Sequence, residues 1–144
     1  MYRHLLVPLD DSPLTVTTVG RAVEFARSLG ARITFLHARA DYGTTSIDAL
    51  ERALSPAAFD DGTGGESRGI LAKAQVAAQA VGVSCECVAV TSDRPYAAIV
   101  DTARVRGCDL IFMASHGRRG LRSLMLGSQT QKVLQNTTIP VLVS

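Results

Sequence analysis

Residues 110–128 read LIFMASHGRRGLRSLMLGS, and they are the most informative part of the chain about its fold. It opens with the unbroken apolar run Leu110 to Met113, which is typical of a buried strand. A loop that contains three glycines follows, and a helical pattern begins near Ser128. In a strand–loop–helix unit of this kind, glycines let the backbone approach a ligand closely, and the free N–H groups of the helix point at an anion. Nucleotide binding is therefore the first hypothesis.

Strand and helix patterns alternate along the rest of the chain. The apolar runs predict five strands, at residues 5–9, 33–38, 83–90, 110–113 and 139–143. The predicted helices start at Ser12, Ser67, Pro95 and Ser128, and the first three end at Gly30, Gly82 and Gly107. This alternation predicts an α/β fold, a doubly wound, Rossmann-like parallel sheet of five strands in the order 3-2-1-4-5 with helices on both faces.

Residues 39–66 interrupt this alternation and form the segment with the weakest pattern. Residues 47–54 are predicted to be a short helix. The run Asp-Asp-Gly-Thr-Gly-Gly at 60–65 is predicted to be a mobile loop, because glycine and aspartate favour turns.

The composition fits one globular domain over residues 1–144, since 47% of the 144 residues are apolar. The net charge is only +2 and there is no tryptophan, so we expect no nucleic-acid partner. The apolar run at 5–9 is too short for a signal sequence or a membrane span, so we expect a cytoplasmic protein with no membrane partner. Cys85, Cys87 and Cys108 lack the spacing of a zinc site, and we expect buried thiols.

A doubly wound sheet binds ligands where the strand order reverses, here at the carboxyl ends of the first and fourth strands. The turn after the first strand contains Asp10, Asp11 and Ser12, and the loop after the fourth is 114–127. We expect these two segments to meet at one crevice. Three roles are open for Asp10: it holds a Mg²⁺ that bridges to phosphates, it hydrogen-bonds a ribose hydroxyl, or it starts the first helix. For Asp11 we expect capping or solvation.

Two common nucleotide signatures are missing from the chain. It has no G-x-x-x-x-G-K-[ST] loop, and the turn after the first strand is acidic instead of G-x-G-x-x-G. Met113 to Gly117, nine further residues and then Gly127-Ser128 instead resemble the ATP-binding loop of the universal stress protein family. The motif of that family is Gly, two residues, Gly, nine residues, Gly, and Ser or Thr. The resemblance extends over the whole chain, including residues 5–10, 35–38 and 139–143.

The resemblance implies an ATP site with Mg²⁺ and assigns residues to it by position. The residues implied to hold the phosphates are Gly117, Gly127, Ser128 and Thr130, with Gln129 contributing its backbone. The residues implied to line the ribose, metal and adenine are Pro8, Leu9, Asp10, Ala38 and Met113. Ala114 stands where the motif has its first glycine, and its methyl group would crowd the ribose if that glycine serves close backbone approach.

No catalytic residue is predicted. Ser115 and Ser128 lack the G-x-S-x-G elbow of a hydrolase, and His37 and His116 have no partner at a recognisable spacing, so we expect these histidines to be structural or to line the site. Asp10 with a bound metal would support slow ATP hydrolysis at most. The arginines at 118, 119 and 122 are either phosphate contacts or solvated surface.

The last predicted strand, 139–143, is apolar and is expected at a sheet edge, where Pro140 is tolerated and where edges invite pairing. The sequence therefore predicts a homodimer through this strand, and the resemblance implies the same arrangement. Taken together, we expect an ATP-binding regulator or sensor of stress responses with an unidentified protein partner. The alternatives are a family member that binds no nucleotide and acts through protein contacts, and a slow ATPase.

Overall fold

Five parallel strands form one sheet at the centre of the molecule. The computed structural model describes residues 1–39, 56–114 and 128–144 and, for 56–66, the backbone alone. The strands are β1 His4–Leu9, β2 Arg32–Arg39, β3 Cys85–Thr91, β4 Leu110–Met113 and β5 Val141–Val143. The helices are α1 Thr15–Leu29, α2 Pro56–Ala80, α3 Pro95–Val105 and α4 Ser128–Asn136. The strand order β3-β2-β1-β4-β5 confirms the predicted order.

Two apolar clusters fill the space between the sheet and its helices. On one face, α1 and α2 pack against strand residues such as Val7, Phe35 and Phe112. On the other face, α3 and α4 pack against Leu6, Leu36 and Ile111. Side chains alternate between the two faces along a strand, so the central strand β1 is apolar on both sides. The helices therefore cover both faces, as a doubly wound fold requires.

The first helix ends where the sequence predicts but starts later. Gly30 has a φ of 66°, the left-handed conformation that glycine adopts without strain, and it caps α1. The predicted start at Ser12 is wrong, because α1 begins at Thr15 and its N-cap is Leu14, which makes no side-chain cap bond. The Ser12 hydroxyl instead accepts the Leu14 N–H at 3.0 Å. Ser12 thus stabilises the turn that precedes the helix.

The largest difference from the prediction concerns residues 60–65. They were expected to be a mobile loop, but the backbone there is helical, since α2 spans Pro56–Ala80. Leu71, Ala74 and Ala78 anchor the later half of this helix in the core. Propagation from an anchored segment adds one backbone hydrogen bond per ordered residue, which carries the helix through residues of low intrinsic propensity. The predicted helix at 47–54 lies outside the described residues.

Candidate functional site

The strand order reverses between β1 and β4, which pair in parallel. β1 ends at Leu9 and β4 ends at Met113, so the chain leaves both strands at the carboxyl edge of the sheet. After β1 the chain runs into α1 on one face, and after β4 it runs to α4 on the other. Divergence of neighbouring connections to opposite faces is what creates a ligand crevice in such sheets.

Most of the predicted site residues lie along this edge. Pro8 and Leu9 are the last two residues of β1, and Leu9 is level with His37 of β2. Ala38 follows one residue further along β2 and is level with Val90 of β3. The structure therefore brings these residues to the same edge as Met113 and Ala114. Gly117 and Gly127 lie outside the described residues.

Asp10 shapes the turn that leaves β1. Its Oδ1 accepts the Ser12 N–H at 2.9 Å and the Thr15 hydroxyl at 2.8 Å. The Thr15 hydroxyl also lies 2.8 Å from the Asp10 carbonyl oxygen. One carboxylate oxygen thus fixes the entry into α1, as the helix-start interpretation expected. Within the described parts of the chain, no hydrogen bond to Asp10 Oδ2 is found.

Ala114 occupies the first glycine position of the motif without backbone strain. Among the described residues, a positive φ occurs only at glycines. Ala114 therefore has a conformation that any residue adopts, and its methyl group is the single steric difference from the motif glycine. Its carbonyl oxygen accepts a hydrogen bond from the Thr130 hydroxyl at 3.3 Å.

This bond brings the first turn of α4 back to the end of β4. Ser128 is exposed, whereas Thr130 is only 4% exposed and directs its hydroxyl at the Ala114 carbonyl oxygen. The first N–H groups of a helix have no intrahelical acceptor. Such groups, together with the positive end of the helix dipole, favour a negative charge at the amino end of a helix. The Thr130 side chain positions this turn.

A second contact, which the sequence reasoning missed, ties α4 to α3. The Gln129 side-chain oxygen Oε1 accepts the Tyr96 N–H at 3.1 Å. The family resemblance implied only a backbone role for Gln129, and nothing in the pattern of either helix links two residues that are 33 positions apart. The side chains of Gln129 and Thr130 are thus both engaged in holding the start of α4.

His37 lies near the same edge but has a structural environment. Its Nδ1 is 2.6 Å from the Ser67 hydroxyl oxygen, and both side chains are buried. A serine that is 2% exposed offers no nucleophile to a bound substrate. The pair therefore ties β2 to α2, in agreement with the structural role expected for His37. His116 lies outside the described residues.

The described cysteines differ in burial and belong to no cluster of metal-type ligands. In the described ranges, no group of three or more His, Cys, Asp or Glu side chains is placed to hold a metal ion. Cys108 is buried, and burial raises the pKa of its thiol to about 11. Cys87 is exposed, so the expectation of a buried thiol is wrong there. Cys87 lies on β3, which in the described sheet has a neighbouring strand on one side only. Over the same ranges, no helix is long and apolar enough to cross a membrane.

Comparison with known proteins gives a consistent result. The model of the universal stress protein family matches residues 1–144. Universal stress protein YxiE of Bacillus subtilis is 30% identical over 147 residues, which cover 99% of each chain. The structure of universal stress protein UspA from Lactobacillus plantarum matches with a TM-score of 0.82 at 24% identity, over 99% of this chain and 97% of that one. The structure of a universal stress protein from Archaeoglobus fulgidus in complex with dAMP matches with a TM-score of 0.67 at 19% identity, over 99% and 97%. The full-length family match and the identity with YxiE show that this chain belongs to the universal stress protein family.

Proposed function

We propose that this protein binds ATP at the carboxyl edge of the sheet, between β1 and β4, and acts as a nucleotide-dependent regulator or sensor in stress responses. The observation that carries the proposal is the return of the α4 first turn to the end of β4, where Thr130 donates to the Ala114 carbonyl oxygen at 3.3 Å. This brings the amino end of α4, the positive end of its helix dipole, to the edge that also holds Asp10. The dAMP complex of the Archaeoglobus fulgidus relative supports an adenine nucleotide as the ligand.

The residues of this edge divide by the part of the nucleotide that they would contact. Ser128 and the first-turn N–H groups of α4 would bind phosphate oxygens, with Gly117 and Gly127 of the loop. Pro8, Leu9 and Asp10 would line the ribose side, and Ala38 and Met113 the adenine. The Thr130 hydroxyl is engaged with Ala114, so we assign Thr130 to the phosphates through its backbone.

Mg²⁺ fits the Asp10 side of the site. In nucleotide sites, this ion is held by one or two carboxylates together with phosphate oxygens and waters. Asp10 provides one carboxylate oxygen that makes no hydrogen bond in the described chain, while its other oxygen is fixed by Ser12 and Thr15. When bound, the ion would neutralise phosphate charge next to Asp10, which would otherwise repel the nucleotide.

We infer that the protein is not a fast enzyme. In-line phosphoryl transfer to water needs a residue that positions the nucleophile. His37, the histidine nearest the edge in the described chain, is held by Ser67 instead. Slow ATP hydrolysis is the most that Asp10 with a metal ion would support. The regulator would act in the cytoplasm on a protein partner that the site chemistry does not identify.

We also propose that the protein is a homodimer. Among the strands that the structure describes, β5 stands last in the sheet and pairs only with β4. An apolar strand with one unpaired backbone edge is suited to pair with the same strand of a second copy.

The Ala114 methyl group favours a second candidate, a family member that binds no nucleotide and acts through protein contacts. A methyl group at the position of a motif glycine would exclude the ribose if the backbone must approach it closely. The two candidates differ in one measurable property, the affinity for ATP.

Calorimetric titration with ATP, with and without Mg²⁺, tests the proposal. We expect binding by the unsubstituted protein and its loss in Gly127→Val, whose side chain would block the phosphates. Gly20→Val is the matched control, because an added Cβ at Gly20 meets no atom within 4 Å and α1 does not carry the phosphate site. Asp10→Asn is expected to bind ATP without a response to Mg²⁺. An unsubstituted protein that shows no heat with ATP would favour the nucleotide-free candidate.

A further inference from the structure

The N-termini of α3 and α4 meet beside the proposed phosphate site. α3 begins at Pro95, and its N-cap residue Arg94 makes no side-chain cap bond. A helix of this kind normally has a Ser, Thr, Asp or Asn side chain to accept one of its first N–H groups. Here the acceptor comes from another helix, since Gln129 Oε1 accepts the Tyr96 N–H at 3.1 Å. α3 is thus capped by the first turn of α4.

Two further contacts join the same turns. The Lys132 ammonium lies 5.5 Å from the centre of the Tyr96 ring, in a cation–π contact. Val133 is fully buried, and Tyr96 packs against the cluster to which Val133 belongs. Lys132 and Val133 lie three and four residues after Gln129 and therefore neighbour it on the surface of α4. The first turn of α3 and the face of α4 below the phosphate site form one packed unit.

We propose that Gln129 is a positioning residue that couples nucleotide occupancy at the start of α4 to the first turn of α3, an inference that rests on the proposed function. A phosphate bound by the first-turn N–H groups of α4 orders that turn and fixes the Gln129 backbone. An ordered backbone holds the Gln129 side chain at the Tyr96 N–H. By linkage, a contact that strengthens when ATP binds also strengthens ATP binding by the same factor.

The coupling reaches an exposed surface. Asp93 and Arg94, which lead into α3, are both exposed. The Ser92 hydroxyl lies 3.0 Å from the Arg94 N–H and 3.2 Å from the Arg94 carbonyl oxygen, so this segment is held as a defined turn. A change in order at the first turn of α3 therefore alters a charged surface turn, which suits recognition by another protein.

Amide exchange isolates the proposed contact. Ala97 and Ala98 donate their N–H groups to the Arg94 carbonyl oxygen, at 3.0 and 3.2 Å, within the start of α3 itself. The Tyr96 N–H depends on Gln129. Exchange at Tyr96 thus reports the link between the helices, and exchange at Ala97 and Ala98 reports the local order of α3.

The experiment compares amide exchange by NMR, with and without Mg²⁺ and ATP, in the unsubstituted protein, Gln129→Ala and Gln129→Glu. We expect ATP to slow exchange at Tyr96 about fivefold, at the low end of couplings between sites. Gln129→Ala should exchange faster at Tyr96 without ATP, lose the response to ATP and bind ATP about fivefold more weakly. Gln129→Glu keeps an acceptor oxygen and should restore slow exchange at Tyr96 without ATP. Gln135→Ala, an exposed site at the far end of α4, is the control and should match the unsubstituted protein.

The possible failures are distinguishable. If the unsubstituted protein binds ATP but exchange at Tyr96 does not respond, the coupling is refuted and the proposed function stands. Faster exchange at Tyr96 in Gln129→Ala with unchanged ATP affinity would show a purely structural contact and would also refute the coupling. An unsubstituted protein that binds no ATP would overturn the proposed function and this inference with it.

Discussion

Replacement of Thr34 by valine should destabilise the protein, because the Thr34 hydroxyl joins three strands at the amino edge of the sheet. Its Oγ1 lies 2.6 Å from Nε2 of His4 on β1 and 2.8 Å from Oε1 of Glu86 on β3. A carboxylate can only accept, so Thr34 donates its one proton to Glu86 and accepts the Nε2–H of His4. Arg106 completes the row with an ion pair to Glu86 Oε2 at 3.1 Å. The hydroxyl thus sits at the centre of a directed chain.

The cost of this substitution follows from the burial of each partner. Thr34 is fully buried and His4 is 4% exposed, so valine would leave the His4 Nε2–H buried without an acceptor. An unsatisfied buried donor costs about 1–3 kcal/mol. The Glu86 side chain is 46% exposed and is hydrated when its bond is lost, so it adds little. Valine keeps the shape of threonine, and we expect a loss of about 2 kcal/mol in the free energy of unfolding, or about 6–8 °C in Tm.

Chemical and thermal denaturation at pH 8 test this prediction, with Thr17→Val on the exposed surface of α1 as the matched control. The control is expected to change the free energy of unfolding by about 0.5 kcal/mol or less. The hydrogen bond from Thr34 also lowers the pKa of Glu86, so the variant should titrate Glu86 at a higher pH. A Thr34→Val protein as stable as the control would refute the assigned chain of donors and acceptors.

Two further predictions concern pH and assembly. Burial lowers the pKa of His4 below its ordinary value of 6.5, opposed by Glu86 and Asp109, so the unfolded chain takes up a proton more readily than the folded one. The stability that His4 contributes is therefore complete above pH 6.5 and is lost as the pH falls toward the pKa of the folded state. Between pH 8 and pH 5, the free energy of unfolding in urea should fall more steeply for the unsubstituted protein than for His4→Gln. Equal slopes for the two proteins would contradict this prediction. At β5, Pro140 and Ser144 direct their backbone groups to β4, so alternation turns the N–H of Val143 to the open edge. Val143→Pro should shift sedimentation from dimer to monomer while Val143→Thr stays dimeric, and a monomeric unsubstituted protein would overturn the proposed assembly.

The architecture was predictable because the local pattern of apolar residues indicates which strands and helix faces are buried. The five residues from Leu5 to Leu9 have no polar side chain on either face of the strand. Such a pattern is typical of a central strand that is covered by helices on both sides. The α1 stop at Gly30 was equally local, since a left-handed residue after an amphipathic stretch is most easily a glycine. The prediction of a loop at residues 60–65 was wrong because the state of this segment is not set locally. Its composition favours turns, and its helical state comes from a helix anchored elsewhere in the core.

The contacts that give the site its geometry were not predictable in this way. The bond between Gln129 and Tyr96 depends on how two helices are packed, and neither residue has a periodicity that marks it. The chain from His4 through Thr34 to Glu86 depends on the register of three strands. Periodicity tells which face a residue takes but not which polar side chain from a distant segment lies opposite. The family resemblance locates the site by position, and the side-chain partners require the structure.

The two edges of the sheet use their polar groups in opposite ways, and this separates stability from binding. At the amino edge the Asp109 carboxylate pairs with the protein itself, since it accepts the N–H groups of Arg3 and His4 at 2.9 and 3.0 Å. At the carboxyl edge the side chains of Gln129 and Thr130 hold the backbone, and the first N–H groups of α4 have no intrahelical acceptor. A ligand that binds only the folded state stabilises it, and the amino end of α4 favours a ligand with negative charge. Thr34→Val should therefore lower stability with ATP affinity unchanged, whereas Gly127→Val should abolish ATP binding in a protein that remains folded.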